Sequence, residues 1–441
     1  MRTDDGGLSR FEHDEMRDLV LAGTERIRPA GTRTLRAAGA GVALLLVGAV
    51  AGAFLTWTVR EPDSPAAASA IPAPTTTLWS GWVAFAAGER GADIYLVKQG
   101  SPARRILGSE ADDADQICPA FSPDGRRLVS GQVTGEDDAG RVVASLNITD
   151  LTADGEPTRT TSLTLDGVVH PPCAVWSSDG RWLAFGADLG DSEFGVTQVW
   201  VVDTKTNDIT RLPGLRATDL EWAPRSSELF IASGRISIYS AETGTTRSVD
   251  GTSRATALAI SPDGRSLVVQ YGPGRDAPGS DDLVLMGTDG SNQRTLVAAY
   301  QVGNSIGPVW SPDGDRVAFQ RSCDTYVDEA GQERICLDEH EAVVVTVGGD
   351  DPRTPFGTQT VIPAPQTTHG GKVQVWAPYS VSWSPDGKAL LYIAWSYPGY
   401  GILAVPVDSS SPPVVLDDVL GVGGHIGQPW NTFQSWSTQG K

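Results

Sequence analysis

The sequence predicts an all-β fold: a seven-bladed β-propeller closed by pairing its C-terminal strand with its N-terminal blade, and preceded by one transmembrane helix. Three observations predict it. An apolar residue followed by Ser-Pro-Asp-Gly, or a variant of it, recurs seven times in 441 residues. Fifty glycines and 29 prolines occur without a collagen-like period, which suits many tight turns between short strands. The seventh copy of the phrase stops halfway, and a matching second half begins the folded region.

The phrase starts at Phe121, Trp176, Trp222, Ile260, Trp310, Trp383 and Trp436, giving spacings of 55, 46, 38, 50, 73 and 53 residues. Such spacings suit a four-stranded propeller blade with loops of variable length. In each unit a short apolar strand ends at the phrase. Pro-Asp-Gly then reverses the chain, because Pro presets φ, Asp bonds to nearby backbone and Gly accepts a positive φ. A second strand follows, as in "WSSDGRWLAFGA" (Trp176 to Ala187) and "WSPDGDRVAFQR" (Trp310 to Arg321). In the third unit "VTQVWVVD" and "DITRLP" supply the remaining two strands. The unit at Trp222 departs from the pattern, with Arg225 and Ser226 in place of Asp and Gly, and its turn geometry is expected to differ.

"WSTQGK" (Trp436 to Lys441) has no second strand after it, and "WVAFAA" (Trp82 to Ala87) has no first strand before it. Joined, they match "WSSDGRWLAFGA". The last strand is therefore expected to complete the first blade and to remove the two open sheet edges of a linear array.

The phrase, Ser-Pro-Asp-Gly-x-x-apolar-apolar, resembles the WD-like repeats of TolB-type periplasmic β-propellers and of the propellers of prolyl-oligopeptidase-type peptidases. The resemblance runs from Trp79 to Lys441. It implies the fold and no particular activity, since the phrase is turn chemistry shared by proteins of unrelated function. TolB-like propellers typically carry six blades behind an α/β domain, and seven phrases behind a membrane-type segment depart from that pattern.

Ala37 to Val59 is a run of 23 residues without a charge. As a helix it spans roughly 35 Å, enough to cross a bilayer core. Arg26, Arg28, Arg33 and Arg36 precede it, whereas Arg60 follows beside Glu61 and Asp63, so the N-terminus is expected in the cytoplasm. The domains then read as a cytoplasmic segment (1–36), a transmembrane helix (37–59), a Pro/Ala-rich stalk (60–78) and an extracytoplasmic propeller (79–441), giving a single-pass protein of the cell membrane. A net charge of −20, with only five lysines, excludes a phosphate-backbone partner such as nucleic acid.

Four cysteines in an exported chain suggest two disulfides. Cys118 and Cys173 each lie three residues before a phrase, at equivalent places on adjacent inner strands; Cys323 and Cys336 bracket one loop of blade six. Pairing within these two sets is expected. The turn aspartates Asp124, Asp179, Asp263, Asp313 and Asp386 read as turn stabilisers rather than metal ligands, and no cofactor or metal is expected. "GNSIG" (Gly303 to Gly307) matches a nucleophile pattern, but Pro308 and a strand follow it instead of a helix, so Ser305 is expected in a blade-to-blade connection. The sequon at Asn147 falls within an expected strand.

Loops between second and third strands, such as "GEDDAG" (Gly135 to Gly140) and "DLGDSE" (Asp188 to Glu193), concentrate acid on one rim. In blade seven the equivalent loop is "WSYPGYG", where Trp395, Tyr397 and Tyr400 resemble aromatic anchors of a binding site. The function expected is a non-enzymatic scaffold whose rim, with His170 and His425 beside these aromatics, binds an extracytoplasmic protein or glycan, cationic or sugar-bearing. Two alternatives remain open. One is a lyase or hydrolase at the channel mouth using His170 and His425. The other is an anti-sigma-like sensor in which Met16, Leu19, Val20, Gly23 and Ile27 form a helix face that docks a cytoplasmic partner.

Overall fold

A sheet of four strands has two apolar faces to cover, and in this chain neighbouring sheets cover them. The computed structural model describes residues 81–87, 92–108, 115–136, 142–165, 167–168, 173–187, 197–272, 282–297, 304–322, 325–327, 333–335, 340–347, 358–362, 366–369, 372–375, 377–396, 399–417 and 435–436. They belong to one compact unit spanning 70–441. The cytoplasmic segment, the 37–59 run and the stalk lie outside the described residues. Among those described, no helix is long and apolar enough to cross a membrane.

Seven antiparallel four-stranded sheets make seven blades. Blades two to seven each use four strands in chain order, beginning with Asp115–Phe121, Ala174–Trp176, Asp219–Trp222, Ala255–Ile260, Asn304–Trp310 and Ala377–Trp383. Inner strands of consecutive blades pack on one another around a common axis. The first sheet consists of Val83–Ala87, Asp93–Val97 and Arg104–Leu107, with Ser435–Trp436 as its fourth strand. Val83 lies opposite Trp436 and Ala84 opposite Ser435.

The core is divided into seven apolar clusters, each shared by two consecutive blades. Val129, Leu146, Leu183 and Phe185 join blades two and three, while Val268, Leu283, Val317 and Phe319 join five and six. One cluster joins Leu391, Ile402 and Ala404 of blade seven to Val83, Phe85 and Val97 of blade one. Alternate residues along one strand enter different clusters, as Ala84 and Phe85 do. That is the two-residue period of a strand buried on both faces.

The repeated phrase folds into one turn. In blade two the Ser122 hydroxyl donates to Asp124 Oδ1 (2.6 Å) and accepts from the Arg127 amide (3.0 Å), while Asp124 accepts the Arg126 amide (3.0 Å). Gly125 takes φ +65°, the left-handed region that glycine tolerates. The same Ser–Asp pair recurs as Ser177–Asp179, Ser261–Asp263, Ser311–Asp313 and Ser384–Asp386. In blade four Ala223 and Arg225 offer no such pair, yet the outer backbone bond of the turn survives, from the Ala223 amide to the Glu228 carbonyl at 2.9 Å. The inner bond of the other turns, such as Gly125 amide to Ser122 carbonyl at 2.8 Å, has no counterpart there among the described residues, and Ser226 does not take the positive φ of those glycines, so the turn geometry does differ.

A second repeated bond ties blade to blade. The indole N–H of Trp176, Trp222, Trp310 and Trp383 donates to Ala120, Val175, Ala259 and Val309 at 3.0, 3.1, 3.0 and 3.1 Å. Each acceptor is the carbonyl just before the phrase of the preceding blade. Arg316 adds a tie by lying 4.7 Å from the Trp383 ring and donating to the Gly387 carbonyl at 2.9 Å.

Asp124, Asp179, Asp263 and Asp313 titrate low. For Asp263 the Ser261 hydroxyl and then the Arg265 amide hold it below the ordinary aspartate range. In Asp124, Asp179 and Asp313 partial burial pushes upward, but hydroxyl, amide and nearby arginine together outweigh it. A depressed folded value contributes stability above the ordinary aspartate range that is lost as pH falls through the folded value. The melting temperature should therefore decline below about pH 4, and thermal melts of Asp263→Asn across the acid range should show a shallower decline. Trp383→Phe keeps an aromatic ring but deletes the indole N–H together with part of the buried ring, and should cost at least about 1 kcal/mol in urea unfolding.

Candidate functional site

Because every first strand ends at the Ser-Pro-Asp-Gly turn, the second strand climbs to the opposite rim. Connections between second and third strands, and those entering first strands, share that rim. Two β-hairpins beyond the seven blades occur in such connections, both next to blade six. Thr325–Val327 pairs with Glu333–Ile335 between its second and third strands. Gln366–His369 pairs with Lys372–Val375 between its outer strand and blade seven. Together they account for the longest phrase spacing, 73 residues from Trp310 to Trp383.

Blade seven brings Trp395 and Tyr400 to the same rim. Its second strand, Ala389–Ser396, and third strand, Gly399–Pro406, place Trp395 directly opposite Tyr400 and Ser396 opposite Gly399. Directly opposed residues of an antiparallel pair share one sheet face. Trp395 also lies opposite Ala377 of the inner strand. Tyr397, His170 and His425 lie outside the described residues, as do Cys323, Cys336, the loop 188–193 and residues 137–140 of the loop 135–140. Among the described residues no group of three His, Cys, Asp or Glu is placed to hold a metal.

Cys118 and Cys173 form a disulfide between the inner strands of blades two and three, with Cα atoms 5.0 Å apart. Ser305 lies not in a connection but in the first strand of blade six, opposite Arg321. The strand extends further than its apolar stretch suggested because Asn304 and Ser305 continue the ladder ahead of Gly307. Asn147 is 4% exposed, and its amide donates to Gln132 at 2.7 Å, so it is held within the sheet.

Sequence reasoning missed two carboxylates near the axis. Asp219 and Glu221 alternate along the inner strand of blade four and turn toward blade five. Asp219 accepts the Leu258 amide at 2.9 Å with one oxygen and the Leu220 amide at 2.9 Å with the other. Glu221 accepts the Ile260 amide at 2.8 Å. Burial pushes Asp219 above the ordinary aspartate value, against its two amide donors. Burial likewise pushes Glu221 up to about 8, opposed by the Ile260 amide and reinforced by the charge of Asp219. Both residues keep some surface open to water, yet protein encloses them. Enclosure governs their ionisation, because a carboxylate surrounded mostly by protein is poorly solvated as a charge. The signal lay in "DLEW", the inner-strand copy that sets acids where the others set small or apolar residues.

No protein-family model and no curated protein matches this chain. Among solved structures it is similar to TolB from Acinetobacter baumannii, at 16% identity and TM-score 0.42 over 67% of this chain and 66% of that one. It is also similar to the Cps50 (Swd1) β-propeller domain of Myceliophteria thermophila, at 13% identity and TM-score 0.43 over 68% and 85%. A third is oligogalacturonate lyase from Vibrio parahaemolyticus, at 14% identity and TM-score 0.44 over 76% and 86%. These likenesses are too loose to argue from, and the propeller stands on its own strand pairing. The chain spans 66% of the TolB chain's length.

The disulfide closes a sequence separation of 55 residues. Replacing Cys118 and Cys173 together by Ser should lower unfolding stability by about 2–4 kcal/mol, read from chemical denaturation midpoints under non-reducing conditions.

Proposed function

We propose that this chain is a membrane-anchored, extracytoplasmic propeller that serves as a protein- or ligand-binding scaffold, with the rim of blades six and seven as its working surface. One observation carries the reading: two hairpins that belong to no blade occur in connections of the rim where Trp395 and Tyr400 are paired in register on adjacent strands. The opposite rim offers less, since its serines and aspartates are occupied by their own turns. Aromatic pairs suit recognition because they bury much area at little entropic cost. Acid in the neighbouring loop sequences favours a cationic or sugar-bearing partner.

The uncharged run 37–59 and its arginine flank support the anchor and orientation. Tethering behind a short stalk holds the propeller near the membrane and raises its effective concentration for partners there. In the same reading Ser435–Trp436 is the strand that closes the ring.

Photo-crosslinking in native membranes tests the scaffold. A crosslinker replacing Lys372 or Trp395 should capture a discrete partner, and one replacing Ser178 on the opposite rim should not. Equal capture at both rims, or none at either, would remove the proposal. Ring closure has its own test: deleting residues 432–441 should lower the unfolding midpoint, whereas deleting the hairpin 366–375 should leave it nearly unchanged.

A further inference from the structure

We propose that the seam between blades four and five is a proton-controlled clasp at the axis, tight while Glu221 holds a proton and loosened when Glu221 and Asp219 are both charged. At the seams between two and three, three and four, five and six, and six and seven, an indole N–H supplies the inner tie. Blade five begins its phrase with Ile260, which has no such donor. Here the direction of the tie is reversed: carboxylates of blade four receive the Leu258 and Ile260 amides of blade five. An inner strand has a strand neighbour on one side only, so alternate amides need another acceptor.

The surroundings give these carboxylates amide donors but no cation. On the second strand of their own blade, Glu228 lies beyond the partner of Trp222 and pairs with Arg247 at 3.0 Å. The facing strand Ala255–Ile260 contains no ionisable residue, and Arg254 before it donates to the Gly272 carbonyl at 3.1 Å. On the blade-three side neither Ala174–Trp176 nor Trp182–Ala187 carries a charge, and adjoining Arg181 is held by Asp203 at 2.8 Å. Asp263, after blade five's strand, is engaged by Ser261 at 2.6 Å. No cation pairs with Asp219 or Glu221 among the described residues. Three further ties on this seam do not titrate: Thr218 Oγ1 to the Thr256 carbonyl at 2.7 Å, the Gly234 amide to the Ala255 carbonyl at 2.9 Å, and the Arg254 amide to the Gly234 carbonyl at 2.5 Å. The clasp therefore controls the axial part of the seam.

The sign follows from linkage. A carboxyl whose folded pKa is raised binds its proton more tightly folded than unfolded, so stability is greatest below the unfolded value and declines until pH passes the folded value. For Glu221 that window runs from 4.5 to about 8. Asp219 acts in the same direction. A neutral carboxyl still accepts the amide bond through its carbonyl oxygen, and so do Gln and Asn.

Hydrogen exchange on the full-length protein in detergent tests this. After correction for intrinsic pH effects, protection of residues 255–260 relative to 174–176 should fall by up to about tenfold per pH unit across that window, the limit for one linked proton. Glu221→Gln should make the fall shallower, and adding Asp219→Asn should abolish it. An unchanged profile in the double variant overturns the proposal. Should the variants fail to fold, isotope-edited infrared spectra of the wild type decide: a protonated glutamic acid band present at pH 6 and lost above about pH 8 supports the clasp, and its absence at pH 6 overturns it.

Discussion

Each sheet in this protein depends on its neighbours, because a four-stranded blade with apolar residues on both faces cannot cover itself. The seven shared clusters meet that requirement. Burial at about 25 cal/mol per Å² of apolar surface supplies the driving force, but it is not directional. Direction comes from bonds at fixed places: the Ser–Asp turn sets where one strand ends and the next begins, and the indole N–H sets how far one blade is displaced from the last. Packing and register agree at each step, which is what allows a repeating sequence to specify one ring.

Much of the fold was legible because the repeat carries its own physics. Phe121, Trp176, Ile260, Trp310 and Trp383 all end inner strands, and the equivalent placement of Cys118 and Cys173 follows from that register. Blade four shows the limit. The loss of Asp and Gly in its turn predicts altered geometry, and the inner backbone bond and the left-handed residue are indeed missing, while the Ala223–Glu228 bond persists because neighbouring strands hold the ends of the turn in place.

The candidate surface was less legible. Trp395 and Tyr400 were identifiable from their loop, but their cross-strand register needed the ladder. The hairpin at 366–375 had a signal in "QTTHGGKVQV", a Gly-Gly reversal between alternating strands, that was hidden within an unusually long spacing. Asp219 and Glu221 were missed for a different reason: sequence alternation alone does not distinguish a solvent-facing acid from one facing an enclosed axis.

The indole bonds also point one way along the chain. Each is made by a later blade to a carbonyl of the blade before it. A chain emerging from a ribosome or a translocation pore therefore presents every new tryptophan with an acceptor that has already folded, and the structure can grow by accretion. With the ring closed as proposed, the first sheet is the exception, for it waits, one edge open, until Ser435 and Trp436 have been made. That interval is when a chaperone would have most to protect.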